Sequence, residues 1–156
     1  MKQRFARLLF ITAVIAIAGL VDANAQSVSG SIANGTVSRG KAARATVYLS
    51  LPGGLHANSS RPGSEYAIPT TVRPAARGIR LGAVSYPRGK NRKFSFSNDT
   101  INVYEGRTAF TFTVTVPANY KANSINIRVP VKYQACTDEV CYPPTTKTVN
   151  LTARVL

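Results

Sequence analysis

The C-terminal half of the chain is organised by strict alternation of apolar and polar residues. Phe110, Phe112, Val114 and Val116 share one face, and threonines occupy the other. Ile125, Ile127, Val129, Val131 and Tyr133 alternate with Asn126, Arg128, Pro130, Lys132 and Gln134; Val149, Leu151, Ala153 and Val155 repeat the pattern at the end. Period two over such lengths predicts strands with one buried face. Further strands are expected at residues 27–32, 45–51, 79–85, 93–96 and 101–104. Turn chemistry separates them, at Asn34-Gly35, Pro52-Gly53-Gly54, Arg61-Pro62-Gly63, Pro87-Arg88-Gly89 and Glu105-Gly106. About eight short strands, with no useful helical stretch, predict an all-β antiparallel β-sandwich in a single domain. Pro130 places its strand at an edge or at a bulge, because proline cannot donate to a ladder. There is no internal repeat and no low-complexity tail.

Residues 1–25 are expected to be an address rather than structure. Lys2, Arg4 and Arg7 precede an almost entirely apolar run from Leu8 to Val21, and Ala23-Asn24-Ala25 supplies a small-x-small cleavage signal. The run is shorter than the roughly 18 to 20 residues that span a bilayer. A cleaved signal peptide is therefore predicted, with residues 26–156 as the exported domain and no membrane-embedded segment after cleavage. No cysteine stands at the cleavage site to carry a lipid anchor.

Cleavage takes the formal charge from +14 to +12. The basic residues are scattered from Arg39 to Arg154 rather than clustered, which argues for a cationic surface and against nucleic acid as a partner. Weak attraction to acidic partner proteins or anionic envelope polymers fits the same charge. A hydrolytic enzyme is disfavoured, since one histidine and few acids leave no nucleophile elbow and no paired carboxylates.

The chemistry concentrates in Cys136 and Cys141, the chain's two cysteines, with strands on both sides of them. They bracket a hairpin tip, where antiparallel partners approach closely enough for a disulfide, and an oxidising compartment would keep it formed. Two readings stay open. A structural staple is common in small exported domains, yet loop closure this short stabilises little. A short exposed disulfide is of the kind that exchanges readily. No metal or cofactor is expected: His56 is distant in sequence, and two thiolates do not complete a zinc site. Asp138 and Glu139 lie between the cysteines, where negative charge disfavours a thiolate. The attacking thiol is therefore expected to be modest and dependent on partner docking, although solvated turn residues are an equal reading of these acids. His56 is expected in a loop with a hydrogen-bonding role.

The segment Tyr133-Gln134-Ala135-Cys136, four residues, Cys141-Tyr142-Pro143-Pro144, then Thr146 and Val149, resembles the active-site hairpin of the DsbD N-terminal domain family. Upstream, Gly54-Leu55-His56-Ala57-Asn58 with Pro62, Tyr66, Pro69 and Thr70 is similar to a second stretch of that family. Tyr86-Pro87 and Val103-Tyr104-Glu105-Gly106 are similar to a third. The resemblance covers most of residues 26–156 in order.

It implies an immunoglobulin-like fold and a periplasmic thiol:disulfide relay, acting as a protein-disulfide reductase component. The implied donor is a thioredoxin-like protein, and the implied acceptors are oxidised periplasmic thiol proteins. By motif position, Cys141 forms the mixed disulfide and Cys136 resolves it; Asp138, Glu139 and Tyr142, as neighbours of the pair, are expected to modulate the hairpin. The family's aromatic cap over the disulfide falls on Phe96, or else on Phe94, with plain core packing as the alternative for both. The intercysteine loop is one residue shorter than in many members. The chain also stops where the family protein continues into membrane and thioredoxin-like domains. It is therefore expected to take electrons in trans, from a redox protein or a membrane electron transporter. The alternative is a non-catalytic immunoglobulin-like binding module that keeps the disulfide as a staple.

Overall fold

The computed structural model describes residues 26–95 and 97–156, so the expected signal peptide and Phe96 lie outside the described residues. Among these residues twelve strands follow one another: β1 (Ser27–Ile32), β2 (Thr36–Val37), β3 (Ala42–Ser50), β4 (His56–Asn58), β5 (Thr71–Val72) and β6 (Arg80–Leu81). Then come β7 (Lys90–Lys93), β8 (Thr100–Glu105), β9 (Arg107–Thr115), β10 (Ser124–Tyr133), β11 (Ala135–Cys136) and β12 (Thr145–Val155). Among the described residues there is no helix, and so none long and apolar enough to cross a membrane.

Two sheets make the sandwich. One has the order β1-β3-β9-β6 and the other β2-β12-β10-β5. The alternation seen in the sequence sets their inner faces. Val47 pairs with Phe110 and Ala45 with Phe112, while Ile127 pairs with Leu151 and Ile125 with Ala153, all of them buried. Each large side chain of this kind contributes roughly 1.5–3 kcal/mol by leaving water. Truncating the fully buried Phe110 to alanine would cost about 3–5 kcal/mol.

A third sheet, β11-β4-β8-β7, stands at one end of the sandwich. It is made largely from continuations of sandwich strands: only Gly106 separates β8 from β9, and only Gln134 separates β10 from β11. Gly106 takes a φ of 61°, a left-handed conformation that glycine adopts without a Cβ clash, and this lets one run of chain serve two sheets. At β4 and β8 the third sheet is covered on both sides. Ala57, Tyr104 and Ala135 join the main core, whereas Phe94, Ile101 and Val103 form a separate small cluster with Ala67 packed on it.

Four expectations need correction. Strands are more numerous than eight because β2, β4, β5 and β11, of two or three residues each, show no alternation, and the strand expected at 79–85 shrinks to the two residues of β6. The strand expected at 93–96 lies at Lys90–Lys93, four exposed residues without an apolar face. His56 stands in β4 rather than in a loop. Pro130 lies in an internal strand, paired with Thr148 on one side. Its carbonyl accepts from Arg73 N at 3.1 Å on the other side, so the missing N–H faces the interrupted β5 segment, where no full ladder is lost. One short pair, β2 with β12, is parallel within an otherwise antiparallel arrangement.

Candidate functional site

Cys136 and Cys141 form a disulfide across an antiparallel bridge, with their Cα atoms 4.0 Å apart. The hairpin that carries them is closed by local hydrogen bonds. Thr137 N donates to Val140 O at 2.8 Å, and the Thr137 hydroxyl oxygen accepts from the amides of Glu139 and Val140 at 3.2 and 3.1 Å. Tyr142 N donates to Ala135 O at 2.9 Å. A threonine at the first turn position thus does what serine and threonine do in such turns, holding the backbone through the side chain.

The two sulfurs live in different surroundings. Cys136 is fully buried on the third sheet, and Cys141 is exposed. Beside Cys141 opens a cleft of about 370 Å³ lined by Tyr66, Ala67, Ile101, Asn58 and Gln134. Tyr66 on its wall is 85% exposed, and the chain neighbours of Cys141, Val140 (54%) and Tyr142 (47%), are exposed as well. A larger cavity of about 520 Å³, between Ser60, Arg61, Tyr86, Arg88 and Tyr104, touches neither cysteine.

Register explains the rest of the site. Cys136 pairs with His56 across β11 and β4, and His56 pairs with Glu105 across β4 and β8. Direct partners in a ladder project to the same side, so these three side chains form one row on the face that also carries Phe94, Ile101 and Val103. The His56 ring is 3% exposed and stacks on Phe94, with centroids 4.3 Å apart. Burial pushes the His56 pKa below its usual 6.5; Asp138 and Glu105 work the other way, and Arg92 adds to the lowering. The expected hydrogen-bonding role of His56 is not what the fold shows: among the described residues no group hydrogen-bonds its ring.

The motif residue that does bond is Asn58. Its Nδ2 donates to Ile68 O at 3.1 Å and to Gln134 Oε1 at 3.3 Å, while Gln134 Nε2 donates to Tyr142 O at 3.1 Å. The base of the cysteine hairpin is thereby tied to the loop that forms one wall of the cleft.

Phe94, the second cap candidate, is buried against His56 and the small cluster. Phe96, the first, is outside the described residues. Asp138 and Glu139 are exposed on the turn. Sequence reasoning foresaw no cation there, yet Arg92 lies 3.8 Å from Asp138 and also pairs with Glu105, which Lys90 holds at 3.2 Å. Among the described residues, Tyr142 is engaged through its backbone, accepting from Gln134 Nε2 and donating to Ala135 O.

The fold and site thus define a small β-sandwich domain with one hairpin-tip disulfide, buried at one sulfur and open at the other. The family described as thiol:disulfide interchange protein DsbD, N-terminal, matches residues 30–153, and the chain belongs to that family, with its immunoglobulin-like β-sandwich. No curated protein sequence matches significantly. Among solved structures, the N-terminal periplasmic domain of ScsB from Proteus mirabilis superposes with a TM-score of 0.50 at 12% identity. That match covers 80% of this chain, but the chain spans only 44% of that structure, and the likeness is one of fold. A family 123 glycoside hydrolase from Clostridium perfringens reaches a TM-score of only 0.38 at 11% identity, over 83% of this chain and 27% of that one.

Proposed function

We propose that this chain is a periplasmic thiol:disulfide exchange domain that relays electrons between a thioredoxin-like donor and oxidised periplasmic proteins. The observation that carries the reading is the asymmetry of the disulfide, with Cys141 open to solvent beside a cleft and Cys136 buried. An incoming thiolate of the donor attacks Cys141 Sγ, and the bond to Cys136 breaks with its electron pair on Cys136 Sγ. The donor's second thiolate then attacks the mixed disulfide and leaves the pair reduced. Toward an oxidised acceptor the same steps run in reverse, with Cys141 as attacking and Cys136 as resolving sulfur. Asp138, Glu139 and Tyr142 border the sulfur that partners reach, and Phe96 is the residue proposed to cover it. Family membership supports this chemistry in general terms, and the periplasmic ScsB domain supports the compartment.

The domain reaches that compartment, in this reading, with residues 1–25 removed after Ala25. In the same reading it receives electrons from a thioredoxin-like redox protein or a membrane electron transporter. The mass of the protein recovered from a periplasmic fraction checks the first point, since a mature chain starting at Gln26 is expected.

The deciding measurement is the reduction potential of the pair by equilibration with glutathione buffers. A value of roughly −180 to −270 mV is expected for a relay; one below about −300 mV would mark a fixed bridge and favour a binding module. Cys136→Ser is expected to trap a mixed disulfide at Cys141, and Cys141→Ser to abolish trapping while leaving the fold intact.

A further inference from the structure

We infer that His56 is the proton-exchange partner of Cys136, taking the thiol proton as Cys136 resolves a mixed disulfide and returning one when Cys136 leaves as a thiolate. The inference rests on the reading of Cys136–Cys141 as a pair that cycles.

Three observations carry it. The first is register: His56 and Cys136 are direct partners across β4 and β11, which sets their Cβ atoms about 4.5–5.5 Å apart on one face. The second is isolation, because Cys136 is fully buried and water is not at hand for its proton. A thiolate there is costly unless a proton acceptor or a cation shares the site. The third is that, among the described residues, no group hydrogen-bonds the imidazole nitrogens. The ring is held by stacking on Phe94 rather than by hydrogen bonds, so its orientation is set while proton exchange stays open.

The groups facing the ring are few. Glu105 comes from β8, Lys90 and Arg92 from β7, and Asp138 from the hairpin turn; these charges pair among themselves. Burial keeps the imidazole neutral near neutral pH, the form that accepts a proton.

The step balances as follows. With a partner sulfur on Cys141, the Cys136 S–H proton passes to a ring nitrogen of His56, and the Cys136 electron pair forms the Cys136–Cys141 bond. The Cys141–partner bond breaks with its electrons on the partner sulfur, which is protonated by solvent, and the imidazolium returns its proton to solvent.

The test uses the reduced protein and a chromogenic aromatic disulfide as partner. Its two release phases separate attack by Cys141 from resolution by Cys136. In His56→Phe, which preserves an aromatic ring on Phe94, the second phase is expected to slow about a hundredfold near neutral pH with the first unchanged. An unchanged second phase overturns the inference.

The chain has a single histidine, so its NMR titration is unambiguous in the wild-type protein even should the variant fold poorly. The midpoint is expected to differ between oxidised and reduced forms, and the pH profile of the second phase to bend at the reduced-form midpoint. Coincident midpoints and a profile without that bend overturn it as well. A pair that resists reduction refutes the relay itself, whereas a pair that cycles normally in His56→Phe refutes only the role of His56.

Discussion

Arg92 lies 3.8 Å from Asp138, so a cation from the edge strand β7 reaches the turn between the two cysteines. The same guanidinium pairs with Glu105 and lies 5.8 Å from the centre of the Phe94 ring. The acids of the turn are therefore not the only charges near the open sulfur. Arg92 offsets the effect that Asp138 alone would have on a thiolate, since an opposite charge at such distance favours the charged form.

For Arg92→Ala the expected outcome is slower alkylation of reduced Cys141 near neutral pH, by severalfold, with the pH profile displaced upward. Stability should change little, because exposed pairs of this kind contribute about 0–1 kcal/mol. A pH series of alkylation rates checks it, and an unchanged profile would show that Arg92 does not influence the thiol.

Asn58→Ala removes both Nδ2 bonds, the one to Ile68 O and the one to Gln134 Oε1, from a buried position. The part-buried carbonyl oxygens of Ile68 and Gln134 lose a donor, so a cost of about 1–3 kcal/mol is expected. Urea unfolding gives that number. Hydrogen exchange should further show faster opening of the amides at the hairpin base.

Reduction of Cys136–Cys141 should leave the domain folded. The bridge closes a short loop, with a sequence separation of 5, and the chain-entropy relation gives roughly 2 kcal/mol for it. Comparison of urea midpoints for the oxidised and reduced protein tests this. Unfolding on reduction would mean that the disulfide is the staple of the alternative reading.

Stability should also depend on pH through His56. Its folded-state pKa is lowered, so below its ordinary value of 6.5 the unfolded chain binds a proton that the folded protein resists. The contribution is whole above that value, declines as pH falls toward the folded-state pKa, and levels off beneath it. Unfolding curves at about pH 5 and about pH 7.5 should differ accordingly, and the histidine part of the difference should vanish in His56→Phe.

The strands around Phe112, Ile127 and Leu151 were legible because each has one wet face and one dry face, and alternation records that contrast. β4 was not, since His56, Ala57 and Asn58 are all buried and a strand covered on both sides shows no period. β7 failed for the opposite reason, being exposed throughout. The cysteine hairpin could be read from its motif. The partnership of His56 with Cys136 depends on which residue of β4 falls beside which of β11, a matter of register that spacing along the chain does not encode. Arg92 escaped notice because its pairing joins β7, β8 and the hairpin turn. The one local hint lay in Ala57 and Ala135, small residues flanked by polar ones in both motif stretches, which pair with each other in the fold.

The order β11-β4-β8-β7 leaves β7 as an outer strand, and its sequence Lys-Asn-Arg-Lys sets three exposed cations along that edge, Lys93 beside Lys90 and Arg92 that pair with Glu105. Such an edge repels a second copy approaching to extend the sheet, the device by which β proteins avoid open-ended stacking. Part of the chain's positive charge thus lies on a sheet edge near the disulfide hairpin, where, if Cys141 exchanges as proposed, chance pairing of two molecules would invite intermolecular cross-linking. Loss of that charge would be felt first in self-association, well before it was felt in folding.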